Sequence, residues 1–454
     1  MYYNILMLPK LLLNDIIDEF IEVRDKTMEL FSPLNVEDAV IQSSNFGSPP
    51  NWHIAHVTWF FHKILEKYDS GFKMENDNLN LEYLNSYYQK YGRILTKSER
   101  GKYPRPTVTQ SIKYREEIEN YFLNFLKFID KVGFSDKLIL DVLTAINHEL
   151  QHQELMVYDF QHYFNRFMNE SDNYCPKKRT KNIPIKEKIT RGMVTIPGGI
   201  YEIGYNGKAF CYDNELPENK IYLNPYSIDN SLVTNEDFIH FMDNGGYENY
   251  RYWLADGWDL VMTENWTCPL YWYFDKNKQK WFKKDFNGIN QIVLSEPVVN
   301  VSYYEADAFA KWAKKRLPTE AEWEKAASWD EKNQLKTIYP WGNQYPTRDH
   351  ANLFESYLWR PSMLGSYPEG KSHYGCYQMI GDVWEWTSSE YVLYPGFKSR
   401  FEEYTDKWAI NQKVLRGGCF ATSEKQIRNS YRNYYKPHER IIFAGFRCVK
   451  DFEI

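Results

Sequence analysis

The sequence has little sulfur chemistry to read. Its six cysteines, Cys175, Cys211, Cys268, Cys376, Cys419 and Cys448, are scattered and form no CxxC pair, so reduced thiols are the default in a chain of 454 residues. It has no excess of positive charge either. A net charge of −6 removes the electrostatic case for a nucleic-acid or anionic-membrane partner. It also lacks a clean apolar run: the N-terminus, MYYNILMLPKLLLNDIIDEF, has no basic n-region and no small-residue cleavage site, and Asn14, Asp15 and Asp18 interrupt it within an amphipathic pattern. No signal peptide and no transmembrane span are expected, and the location read from this is cytoplasmic. No glycine loop of the dinucleotide-binding kind is present, and nothing in the sequence fixes an oligomeric state.

What is abundant is aromatic. With 37 Tyr and 15 Trp the aromatic share reaches 17%, which points to extensive packing of amphipathic rings and to a pocket able to take a cationic or aromatic ligand. The length predicts two or three domains. Apolar positions recur at three and four through Leu11 to Phe31, Ile54 to Tyr68, Ser111 to Val132 and Lys137 to Phe164, so residues 1–164 read as a four-helix bundle. Residues 165–190 are polar, basic and without periodicity, and read as a linker. From 191 to 454 the texture is mixed α+β, with short strand-like pieces, glycine punctuation and helices near Asn235–Asn244 and Ser302–Lys315.

Of the 10 histidines, His53, His56, His62, His148 and His152 fall in two short segments, NWHIAHVTWFF (51–61) and HELQHQEL (148–155). His148 and His152 are four apart, which on a helix puts both imidazoles on one face, able to grip one divalent metal. A third ligand has to come from the other segment. His53 and His56 are three apart and share a helical face, so spacing does not choose between them. Three imidazoles would leave positions of a six-coordinate iron(II) open for substrate and dioxygen. A structural zinc would want a closed set of four ligands, usually with cysteine, and no cysteine lies near these histidines in the sequence.

The second half carries IPGG (196–199), EPVVNVSYYEADAFAKWAKKRLPTEAEWEKAA (296–327), YPWGN (339–343), GDVWEWTSS (381–389), RGGCFAT (416–422) and GFR (445–447). In these it resembles the formylglycine-generating-enzyme-like, or sulfatase-modifying-factor, domain, which implies a C-type-lectin-like fold. Trp323, Trp341, Trp384 and Trp386 are expected to build its core. The copper-binding cysteine pair of formylglycine-generating enzymes has no counterpart beyond Cys419 and the distant Cys448, and Asp382 stands where many such domains have asparagine.

The first half resembles the DinB-like bundle. The two together, with YLNSYY (83–88), RGKYPRPTV (100–108) and RNSYRNYYKPHERIIFAGFR (428–447), resemble the sulfoxide synthases of ergothioneine biosynthesis, the hercynine oxygenases. That resemblance implies iron(II) on His56, His148 and His152, with dioxygen as co-substrate. It implies that Gln151 and Asn433 hold the carboxylate of the histidine-derived substrate, and that Tyr87 and Tyr88 stand beside the iron as acid/base and proton donor. Tyr434 and Tyr435 are candidate walls for a trimethylammonium group, and Arg105 and Arg440 weaker candidates for the carboxylate of the thiol. The substrates implied are hercynine and cysteine. Tyr435 stands where the γ-glutamylcysteine branch has an acidic residue, which favours cysteine. γ-Glutamylcysteine, an ovothiol-type or selenoneine-type synthesis and, in another class, a zinc-holding lectin-like binding protein are the alternatives.

Overall fold

The computed structural model describes residues 13–74, 79–86, 88–92, 94–102, 104–167, 174, 179–401 and 403–452; Tyr87 and Cys175 lie outside them. The chain divides into two compact units. The first comprises Met1–Lys177, Gly207–Tyr212 and Phe401–Tyr404, and the second Lys178–Asn206, Asp213–Arg400 and Thr405–Ile454. The boundary after Lys177 falls inside the segment expected as a linker. Two short pieces from beyond the linker count to the first unit.

The first unit is built on helices α1 (Leu13–Phe31), α2 (Pro50–Tyr68), α3 (Val108–Val132) and α4 (Asp136–Phe167). Helix α2 starts four residues earlier than its apolar pattern suggests, because Pro50 at its first turn is pre-set for helical φ and the polar residues after it are buried rather than solvated. Helix α3 opens on a capping box, in which the Gln110 amide donates to Thr107 Oγ1 (3.2 Å) and Gln110 Oε1 accepts from the Thr107 amide (2.8 Å). Helix α2 packs on α3 and α4.

A buried ionic knot ties all four helices. Arg24 of α1 donates to Glu149 of α4 (3.0 Å), to Thr58 of α2 (3.2 Å) and to Glu119 of α3 (3.2 Å), and Arg115 of α3 donates to the other oxygen of Glu149 (2.7 Å). Burial alone would push the Glu149 carboxyl up, but Arg115 and Arg24 outweigh it and hold it low. Removing one partner of such a knot costs about 3–5 kcal/mol. Glu149 follows His148 directly, so the knot also fixes the rotation and register of the histidine-bearing turn.

The second unit contains strands β1 (Met193–Ile196), β2 (Gly199–Ile203), β3 (Asn219–Leu223), β4 (Tyr226–Asp229), β5 (Trp272–Asp275), β6 (Lys280–Asp285), β7 (Gly288–Gln291), β8 (Trp329–Asp330), β9 (Leu335–Lys336), β10 (Trp384–Glu390), β11 (Lys413–Arg416), β12 (Asn433–Tyr435), β13 (Ala444–Gly445) and β14 (Val449–Asp451). They form small sheets, chiefly β1-β4-β14, β5-β6-β7 and β12-β11-β10-β13. The expected helices appear as α5 (Asn235–Asp243) and, after α6 (Ala255–Thr263), as α7 (Tyr303–Trp312); α8 (Glu320–Ser328) follows. Helices α6 and α8 are nine residues each and were not read from the sequence, although Thr319 and Glu322 form the capping box that opens α8.

The motif residues of this unit are largely engaged with one another. Glu320 binds Arg432 (2.7 Å) and Arg416 (3.1 Å), Glu324 binds Arg416, and Glu385 binds Arg447 (2.7 Å), all of them buried. Trp323, Trp384 and Trp386 are fully buried. Trp341 departs from the expectation: it is half-buried, stacked on Tyr339 (5.2 Å) and His350 (4.5 Å), over a small satellite cluster rather than in the main core. Gly417, at φ +94°, must be glycine, since a Cβ would meet Met379 O at 2.5 Å. Asp382 is buried, and its carboxylate accepts from Ser362 N (2.6 Å), Gln378 Nε2 (2.7 Å) and Asn352 Nδ2 (2.8 Å), with burial pushing its pKa up.

Candidate metal centre

His56 on α2 and His148 and His152 on α4 come together in the first unit, each offering a ring nitrogen, with these atoms all within 4.8 Å of one another. All three are buried. The His56 Nδ1–H donates to Leu84 O (2.6 Å), which leaves Nε2 buried with no hydrogen-bond partner among the described residues; His148 Nδ1 is likewise buried and unpartnered among them. An orphaned imidazole nitrogen in a protein interior is costly unless something accepts its lone pair. Burial pushes all three rings down, His148 to about 3 and the other two well below the usual imidazole range, with the neighbouring imidazoles adding to the effect on His56 and His152. Neutral imidazoles are what a metal requires. The donor set fits a divalent ion such as iron, zinc, copper or nickel and leaves the rest of the coordination sphere to other ligands.

Around these rings the packing is specific. Trp52 stacks on His56 with ring centres 4.3 Å apart and a 13° tilt, and the Arg100 guanidinium lies 3.7 Å from the Trp52 ring centre. The Trp52 indole donates to Tyr83 O (3.2 Å), so consecutive carbonyls of the 83–84 turn hold Trp52 and His56 in place. Phe60 packs on His148 (4.6 Å). His53 is not in the ligand group: its Nδ1 faces His152 Nδ1 (2.7 Å) and its Nε2 faces Asp159 Oδ2 (2.9 Å).

Residues 19–156 match the DinB superfamily, and residues 179–452 match the Sulfatase-modifying factor enzyme 1-like domain. A protein of Mycolicibacterium smegmatis named hercynine oxygenase is 34% identical over 71% of this chain and 73% of its own length. The chain belongs to the hercynine oxygenase family. Two further hercynine oxygenases, of Mycobacterium tuberculosis (40% identical) and Mycolicibacterium thermoresistibile (38%), match over 53% and 54% of this chain; the chain spans a little over half of each, 56% and 55%. Among the described residues, no helix is long and apolar enough to cross a membrane.

In this member of the family, the first unit also holds Tyr88, Gln151 and Arg105. Tyr88 is buried with its backbone clamped by Asn85, which accepts from the Tyr88 amide (3.0 Å) and donates to Tyr88 O (2.7 Å); its ring lies 6.0 Å from that of Phe60. Arg105 is half-buried and lowers the pKa of Tyr83, although burial dominates there and pushes it up to about 12. Gln151 Oε1 accepts a hydrogen bond from the Tyr404 hydroxyl, and the Tyr404 ring meets His148 edge-on at 5.7 Å. Tyr404 was not read from the sequence.

Asn433, Tyr434, Tyr435 and Arg440 belong to the second unit. Asn433 Oδ1 accepts from the Tyr434 amide (2.9 Å), Tyr434 stacks on Tyr391 (3.9 Å), and Tyr435 stands opposite Lys413 in the β11–β12 ladder. Arg440 is committed locally, to Glu305 (3.0 Å), to Cys268 O and to the face of Trp266 (4.4 Å).

Proposed function

We propose that the chain is an iron(II)- and dioxygen-dependent sulfoxide synthase that joins the sulfur of cysteine to the imidazole carbon of hercynine. The convergence of three buried, neutral imidazoles in a chain of the hercynine oxygenase family carries this reading. In the reaction, the imidazole C–H and the thiol S–H are lost and a C–S bond forms. One oxygen atom ends on sulfur and the other leaves as water, so the two substrates supply the four electrons that dioxygen takes up.

Iron held by His56, His148 and His152 would bind the thiol as thiolate and activate dioxygen. The protein's own residues do the rest. Gln151, whose Oε1 accepts from the Tyr404 hydroxyl, is assigned together with Asn433 to the hercynine carboxylate. Tyr434 and Tyr435 are assigned to the trimethylammonium group, which cannot donate hydrogen bonds and is best held by aromatic faces. Tyr87 or Tyr88 delivers its hydroxyl proton to the reacting oxygen, which diverts the reaction from simple dioxygenation of the thiol to a sulfinic acid; proximity decides between the two outcomes. Arg105 and Arg440 are the weaker assignments, to the cysteine carboxylate, and the uncharged Tyr435 offers no ion-pair partner to the glutamyl ammonium group of γ-glutamylcysteine.

Anaerobic loading with iron(II), followed by kcat/KM for each thiol against hercynine, tests this reading. Preference for cysteine is expected. A value for γ-glutamylcysteine tenfold above that for cysteine, about 1.4 kcal/mol of transition-state preference, would overturn the choice of thiol. No oxygen uptake with either thiol would overturn the reaction.

A further inference from the structure

His53 and Asp159 are buried beside the ligand group and belong to none of the assignments above. Helix α4 carries His148, His152 and Asp159 at spacings of four and seven, so all three lie on one face, and His53 of α2 reaches between the last two. The Asp159 carboxylate accepts from His53 Nε2 (2.9 Å) and from the Ser48 amide (3.0 Å) on the same oxygen, Oδ2. The 47–48 turn closes over its other oxygen so tightly that a Cβ on Gly47 would sit 1.9 Å from Oδ1. Ser48 is held in turn by Arg100, whose Nη1 donates to Ser48 Oγ (2.8 Å).

This arrangement dictates where the protons are. A carboxylate only accepts, so His53 Nε2 carries the hydrogen. A neutral imidazole has one N–H, which makes His53 Nδ1 an acceptor. The 2.7 Å contact between His53 Nδ1 and His152 Nδ1 then needs its proton on His152. His152 is thereby fixed as the Nδ1–H tautomer, which leaves its Nε2 lone pair as the one a metal could take. His56 reaches the same tautomer through a neutral carbonyl, Leu84 O. For His152 the chain ends instead on a full negative charge.

We propose that His53 and Asp159 are positioning residues that set the tautomer and raise the basicity of His152 as a metal ligand, so that one of the three ligands is electronically unlike the others. This rests on the metal-centre reading above. Groups in this position change metal affinity by about ten- to a hundredfold when removed, and they tune the electronics of the metal as well as its binding.

The test is an anaerobic competition titration of the full-length apoprotein with iron(II), together with the iron(III)/iron(II) potential of each loaded variant. His53→Leu, which removes the acceptor, should weaken iron(II) binding about ten- to a hundredfold. His53→Asn, whose Oδ1 can still accept from His152 Nδ1–H, should recover most of that loss. Asp159→Asn keeps an acceptor oxygen and removes only the charge; it should raise the potential, a shift that a merely structural role would not produce, and it carries the test if His53→Leu fails to fold. Iron(II) affinity of His53→Leu within twofold of the unaltered protein, or an unchanged potential in Asp159→Asn, overturns the proposal. His56→Ala separates this from failure of the metal reading: if it too binds iron(II) normally, the metal centre itself is wrong.

Discussion

The two units use buried polar groups in opposite ways. In the second, the buried carboxylates of Glu215, Glu320, Glu324 and Glu385 end on guanidinium groups, and the motif residues that make this half so recognisable are occupied with holding a loop-rich fold together. In the first, a comparable knot around Glu149 sets the helices, while His56 Nε2 and His148 Nδ1 are buried with no hydrogen-bond partner among the described residues. Dense sequence motifs therefore mark architecture here. The chemistry is marked by three buried imidazoles, His56, His148 and His152, that converge on one another.

The largest effect that would break this contrast is on activity. His56→Ala, His148→Ala and His152→Ala should each abolish iron-dependent oxygen consumption while the protein remains folded by circular dichroism; full turnover in any of them would remove that residue from the centre. Next in size is Arg447→Met in the second unit, which leaves the buried Glu385 carboxylate without its guanidinium. It should lower the unfolding free energy by about 3–5 kcal/mol in a denaturant titration, with iron affinity of the folded protein unchanged.

Smaller in energy but decisive for mechanism are Tyr87→Phe and Tyr88→Phe. Each removes a hydroxyl at little change of volume, and at least one should shift product from sulfoxide toward sulfinic acid, read by chromatography. The same product ratio in both would end their assignment as proton donor. The smallest effect is reserved for Trp341→Ala, at roughly 1 kcal/mol because its ring is only half-buried, against about 3–5 kcal/mol for Trp384→Ala in the packed core. Comparable losses in thermal unfolding would erase the distinction between satellite and core.

Much of this was legible in the sequence because it is local. Helices α1 to α4 follow the three-and-four spacing of apolar residues, and the HxxxH pair announces one face of α4. The apolar period alone starts α2 at Ile54, because Asn51 and His53 are polar yet buried and the period understates the buried face. Short α8 hid behind its own charges, Glu320, Glu322, Glu324 and Lys325, which are buried as ion-pair and hydrogen-bond partners rather than solvated.

The site was legible where spacing or resemblance reached and opaque beyond. Choosing His56 over His53 took the family resemblance, since both face the same way along α2. In the structure, both ring nitrogens of His53 are engaged by His152 and Asp159. Asp159 could have been found, seven residues after His152 on the same helical face. Tyr404 could not, since it lies 253 positions from Gln151 and no local pattern links the two.

The account stands most directly on which histidines hold the metal. Iron content after anaerobic loading and removal of free metal measures this without reference to substrate. One iron per chain is predicted for the unaltered protein and none for His56→Ala, with His53→Asn still holding one. A full complement of iron in His56→Ala, with none in His53→Asn, would contradict it.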